Sequence, residues 1–220
     1  MYVTGSGSHA VIVIYDIFGF QDQCPQVKQV CDRLAAYGFL VVVPDIFVNN
    51  NNKPWPIDKF PPKPEDNLSA WIAGSDGSFF YTECLSQLQV CKKYLAGKGV
   101  TSHSTMGFCW GGYICMRFGG EATEGLRSTI AVHAAFWDKE KDFAKNLKVP
   151  ICVVAAKGDP SETIQEVTDT MPIASKCVFK RYDDQIHGFL AARGDFKDPA
   201  NNKAAQESLE IIANFIKNAA

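Results

Sequence analysis

The chain lacks any apolar run long enough to cross a bilayer. Its apolar runs are short, for example Val11-Ile12-Val13-Ile14-Tyr15 and Phe39-Leu40-Val41-Val42-Val43, and fall far short of the ~18 residues a spanning helix needs, so no membrane role is expected. It also lacks a Cys-x-x-Cys pair. The eight cysteines stand at 24, 31, 84, 91, 109, 115, 152 and 177, and the four histidines are scattered; zinc needs ligands at tighter spacing, so no metal is expected. Charge of one sign is missing too. Lys and Arg number 22 against 24 Asp and Glu, a balance that excludes a chain built to coat nucleic acid or an anionic surface. Residues Met1 to Ser8 hold no basic stretch leading into an apolar one, so no secretory leader is expected. Internal repeats are absent.

What is present is a globular composition. With 46% hydrophobic and 21% charged residues over 220 positions, the chain can build a sizeable core and reads as one domain over 1–220. Such a chain does not depend on disulfide staples. The cysteines therefore read as reduced thiols, mostly small buried apolar groups, in a cytoplasmic protein.

Short β-branched runs alternate with longer amphipathic segments. Val11–Tyr15 reads as a buried strand, and Val27, Val30, Cys31, Leu34 and Ala35 form one helical stripe over about Pro25–Tyr37, stopped by Gly38. Phe39–Val43 is the next strand, and the long crossover between the two implies parallel pairing. Prolines at 54, 56, 61, 62 and 64 make Asn49–Pro64 a loop without regular structure, either a pocket wall or a surface excursion. Further strands are predicted at Ser102–Met106, Thr129–Ala134, Ile151–Ala156 and Lys176–Tyr182. Helices are predicted near Phe79–Leu95, Lys141–Leu147, Ser161–Thr170 and Asn202–Asn218. Repeated β-α units imply a mostly parallel sheet with helices on both faces.

The sharpest chemical signal is Gly107-Phe108-Cys109-Trp110-Gly111-Gly112, after a strand and before a helix-compatible segment. Gly-x-nucleophile-x-Gly is a nucleophile elbow: the turn is so tight that a Cβ on either flank would collide with its neighbours. Cys109 would stand on strained backbone at the sheet's edge, with the helix N-terminus favouring thiolate. The Trp110 N–H would point where a carbonyl oxygen gathers charge. Downstream, Ile151–Ala156 runs into Lys157-Gly158-Asp159, and Lys176–Tyr182 into Asp183-Asp184-Gln185-Ile186-His187. Nucleophile, acid, histidine is the chain order of α/β-hydrolases.

From Tyr15-Asp16-Ile17-Phe18-Gly19 through Pro44-Asp45 and the elbow to His187-Gly188-Phe189, the sequence resembles the dienelactone hydrolase family, in particular its eukaryotic branch. The resemblance implies an α/β-hydrolase fold and a triad of Cys109, His187 and Asp159. It implies that the Ile17 N–H completes an oxyanion hole with Trp110. Where the bacterial lactone hydrolases carry a glutamate thought to switch the cysteine between thiol and thiolate, this chain has Asp16, one methylene shorter. Arg193 is the only candidate for the family's substrate-binding arginine after the histidine, and it falls two residues later than in the bacterial enzymes.

The expected function is cysteine-dependent hydrolysis of a small-molecule ester or lactone through a thioester on Cys109, with no cofactor and no obligate protein partner. Two alternatives are a redox-sensing or binding protein using Cys109 and a glycoside hydrolase on the same fold. His133, closing a predicted strand, reads as a satisfied, half-buried histidine. His103 has no assigned role, and His9 lies near a flexible terminus. Trp55, Trp71, Phe136 and Trp137 suit either a pocket wall or core packing.

Overall fold

The computed structural model describes residues 1–47, 54–74, 78, 80–121 and 124–219. Its strands are β1 (Tyr2–Gly5), β2 (His9–Ile14), β3 (Leu40–Val43), β4 (Ser102–Phe108), β5 (Leu126–Val132), β6 (Ile151–Ala156) and β7 (Val178–Tyr182). The helices are α1 (Gln26–Ala35), α2 (Leu68–Ala73), α3 (Tyr81–Ala96), α4 (Trp110–Glu121), α5 (Glu140–Asn146), α6 (Ser161–Thr168) and α7 (Pro199–Ala219). The strands form one sheet in the order β1-β3-β2-β4-β5-β6-β7, parallel except for β1.

Every residue of β2, β3 and β6 is buried. Because successive side chains on a strand point to opposite faces, such strands need a covering layer on each side, and apolar runs without alternation are their signature. The helices supply both layers: α1 packs with α7, while α4 packs with α5 and α5 with α6. On α1, Val27, Val30, Cys31 and Leu34 are the buried stripe, and Gly38 takes the left-handed conformation just beyond it. The last helix buries Ala205, Leu209, Ile212, Ala213 and Ile216 along one face.

From β2 the chain crosses to β3 on one side, then returns to lay β4 on the other. The carboxyl ends of β2 and β4 therefore flank the topological switch point, where open α/β sheets hold their ligands. Ile14 lies level with Gly107 in this pairing, so the loops bearing Asp16 and Cys109 leave the sheet side by side.

Four expectations need correction. The antiparallel edge strand β1 was not expected; it is short and half-exposed, and ends in glycine, so it carries little β signal. The proline-rich stretch, of which residues 49–53 lie outside the described residues, forms single 3-10 turns at Ile57–Lys59 and Pro64–Asp66. One such turn needs only an i→i+3 bond, which proline at its first position does not oppose. His9 is not in a loose terminus: it opens β2, buried, with Nδ1 and Nε2 each 3.0 Å from a serine hydroxyl, of Ser102 and Ser104. His133 is neither half-buried nor satisfied; it is wholly buried, with no hydrogen-bond partner for either ring nitrogen among the described residues.

Candidate active site

The elbow is built by contacts that exclude side chains. A Cβ on Gly107 would lie 2.0 Å from the Gly111 carbonyl oxygen, and one on Gly111 would lie 2.3 Å from that of Ile14. Gly112 faces the Ala134 Cβ at 2.5 Å in the same sense. Between these close approaches Cys109 takes φ 53°, a left-handed conformation that a non-glycine residue holds only when its surroundings enforce it. The enforcing bonds are visible. The Cys109 N–H donates to Val132 O at 3.1 Å, and the Cys109 carbonyl accepts from Gly112 N at 3.0 Å and Ala135 N at 3.1 Å. Helix α4 begins at the next residue, so its N-terminal dipole lies beside the sulfur. The thiol side chain is half-buried, whereas Cys24, Cys31, Cys84, Cys91, Cys115 and Cys152 are buried; all eight are free.

Asp159 follows β6 and is buried. Its Oδ2 accepts the Ala156 N–H at 2.7 Å, which turns Oδ1 to within 2.8 Å of His187 Nδ1. His187, in the loop after β7, also has the Cys109 side chain close enough to act on its ring. Burial alone would lower the pKa of this imidazole. The influence of Asp159 and Cys109 outweighs that effect and raises it to about 10. Cys109, His187 and Asp159 are thus brought together from three separate strand ends.

The loop after β2 is tied down on both sides. Tyr15 Oη donates to Asp45 Oδ1 at 3.0 Å and accepts the Phe47 N–H at 2.9 Å, which gives Pro44-Asp45 its purpose: it anchors the residue before Asp16. Asp16 is 2% exposed. Its Oδ1 accepts from Phe18 N at 2.9 Å and its Oδ2 from Ala192 N at 3.1 Å. The carboxylate therefore joins the loop carrying Ile17 to the loop carrying His187. Burial pushes its pKa up to about 6, against the opposing pull of these amides and of His187. Arg193 donates from Nη1 to the His187 carbonyl at 2.7 Å and lies 4.7 Å from the Phe60 ring centroid.

The proline-rich segment packs against the loop after β2. Trp55 N donates to Ile17 O at 2.8 Å, and Gln21 Nε2 reaches Trp55 O at 2.7 Å and Phe18 O at 2.9 Å. Phe60 meets Phe18 edge-on at 5.7 Å. Trp55 and Trp71 join Phe47, Phe80 and Trp110 in an aromatic cluster, with Phe47 stacked on Trp110 at 5.8 Å. Sequence reasoning did not single out Phe18, Phe47 or Phe60, since isolated phenylalanines carry no spacing signal. No group of side chains suited to hold a metal ion occurs among the described residues.

A mostly parallel sheet with an elbow after β4, an acid after β6 and a histidine after β7 defines an α/β-hydrolase. The family model described as "Dienelactone hydrolase family" matches residues 2–220, and the chain belongs to that family of ester- and lactone-cleaving enzymes. An uncharacterised AIM2 family protein of Schizosaccharomyces pombe is 30% identical over 98% of this chain and 86% of its own length. A carboxymethylenebutenolidase homolog of Mus musculus is 27% identical over 98% of this chain and 85% of its own. Among solved structures, a dienelactone hydrolase-like promiscuous phosphotriesterase from metagenomic libraries shares the fold with a TM-score of 0.68 at 17% identity, covering 98% of this chain and 88% of that one.

Proposed function

We propose that the protein hydrolyses small carboxylic esters or lactones through a covalent thioester on Cys109, as one catalytic domain over residues 1–220. The observation that carries this reading is the pairing of His187 with Asp159, Nδ1 to Oδ1 at 2.8 Å, with the Cys109 side chain close to the same ring. His187 takes the thiol proton as general base, and Asp159 supports the positive ring that results. The sulfur attacks the carbonyl carbon, and the carbonyl electron pair moves onto oxygen. The N–H groups of Ile17 and Trp110 face that developing charge from the loop after β2 and the start of α4. Collapse expels the alkoxide, which takes the proton from His187. The now neutral ring removes a proton from water, hydroxide attacks the thioester, and the carboxylic acid leaves as the sulfur is restored. Asp159 fixes the ring's tautomer and supports its positive form.

Asp16 and Arg193 enter as positioning groups in this reading. Both Asp16 oxygens accept backbone N–H groups, and Arg193 holds the His187 carbonyl. A glycosidase mechanism is disfavoured because it needs two carboxylates flanking the bond. Here Asp159 is engaged with Ala156 and His187, and Asp16 with Phe18 and Ala192. The eight free thiols support a reducing compartment such as the cytoplasm. No helix among the described residues is long and apolar enough to cross a membrane.

The test is mass spectrometry of wild type and Cys109→Ala after brief exposure to a panel of activated esters and lactones. An acyl adduct on Cys109, absent from the variant and decaying with turnover, supports the reading. Turnover that survives in Cys109→Ala or His187→Ala would overturn it. Oxidation of Cys109 without any acyl adduct would favour a redox-sensing protein.

A further inference from the structure

His133, directly after β5, is packed against the acid–base group. Its ring centroid stands 5.2 Å from that of His187, with the rings at 63°. Phe108 and Phe189 close the box at 5.7 Å and 5.8 Å. The side chain is 0% exposed, and neither ring nitrogen has a hydrogen-bond partner among the described residues. The backbone is left-handed, with φ 35°, and is held by the His133 N–H donating to Val154 O at 2.6 Å.

A phenyl ring would fill this box without stranding two polar atoms, and burying an unpaired donor and acceptor opposes folding. The polarity left unmet lies one ring away from the group whose protonation drives the reaction. We propose that His133 is a positioning residue whose ring dipole favours the protonated form of His187, the form His187 takes on accepting the Cys109 proton.

The physical basis is freedom of tautomer. His187 has its Nδ1 proton fixed by Asp159. Among the described residues no hydrogen bond fixes the His133 tautomer, so its single proton can occupy the nitrogen farther from the His187 charge and turn the other nitrogen's lone pair toward it. In a site of low dielectric such a dipole acts strongly on a neighbouring charge. The other titratable and charged groups around the two rings are Cys109 from the elbow, Asp159 from the loop after β6, Asp16 from the loop after β2, and Arg193 from the histidine's own loop. Burial, with help from the positive charges of His187 and Arg193, holds His133 neutral.

This inference rests on the triad reading, and its test separates the two. His133→Phe and His133→Asn in the full chain are compared with wild type by NMR titration of the His187 ring and by single-turnover acylation with an activated aryl ester across pH. In the Phe variant the His187 midpoint is expected to fall by about one pH unit, and acylation at neutral pH to slow about tenfold. Asparagine carries a dipole and tolerates the left-handed backbone, so it is expected to recover most of both. A Phe variant that titrates and acylates like wild type would overturn the inference, because shape alone would then suffice. Should phenylalanine not fold at this φ, His133→Leu against His133→Asn decides the same question. A wild-type His187 midpoint unmoved by Cys109→Ala would instead overturn the coupling of His187 to Cys109, and with it the inference, without reference to residue 133.

Discussion

The two oxygens of Asp159 have different partners: Oδ2 takes the Ala156 amide at 2.7 Å, and Oδ1 faces His187 Nδ1 at 2.8 Å. An amide side chain at this position has one oxygen to offer. In Asp159→Asn the backbone N–H claims it, which leaves an NH2 group pointing at His187 and forces the wrong tautomer. Ester hydrolysis is expected to fall by about 10³- to 10⁴-fold with the fold retained. Steady-state rates beside thermal unfolding check this, and a loss below tenfold would remove Asp159 from the triad.

Asp16 gives a pH-dependent stability with a definite sign. Its carboxyl has a pKa of about 6 in the folded chain against 3.8 for the free group. The folded state therefore holds this proton more tightly. The resulting stabilisation is fully present below the lower value and is lost as pH rises through the upper one. Relative to Asp16→Asn, wild type is expected to lose roughly 2 kcal/mol between about pH 4 and pH 6, then stay level. Denaturant unfolding across that window is the measurement. A stability difference that does not vary with pH would show that burial does not perturb the group.

Gly111→Ala is expected to destabilise by about 2–3 kcal/mol, because the new Cβ meets main chain rather than a movable side chain. It would sit 2.3 Å from Ile14 O and 2.6 Å from Tyr15 O. Those carbonyls precede Asp16 and Ile17, so activity should fall more than stability alone explains. Gly120→Ala is the control, since its nearest neighbour is 3.3 Å away. Equal unfolding midpoints for the two variants would contradict the crowding described at the elbow.

Arg193 bonds the His187 carbonyl and lies over Phe60. Its replacement by Met removes a hydrogen bond and a cation–π contact, together about 1–2 kcal/mol of loop order, and kcat/KM is expected to fall about tenfold. Lysine should not restore the rate, since it lacks the planar fork that serves both partners. Full rescue by Arg193→Lys would leave only a charge effect.

The fold was legible where periodicity was strong. The run Ile151–Ala156 was read with the same bounds as β6, and the α1 stripe of Val27, Val30, Cys31 and Leu34 is the buried face. Cys109, Asp159 and His187 were legible because each stands just past a strand end, which the chain's punctuation marks. What stayed hidden depends on partners distant in sequence. That Asp16 reaches Ala192 across 176 positions, or that the His133 ring has no hydrogen-bond partner among the described residues, follows from how loops meet at the sheet edge, and local spacing carries no trace of it. The ring packing of Phe18, Phe47 and Phe60 was invisible for the same reason.

At the elbow, Gly111 lies hard against the carbonyls of Ile14 and Tyr15, and Gly107 against that of Gly111. The sulfur is therefore located by main chain, as a workpiece is by a jig, and owes its coordinates to no particular side chain.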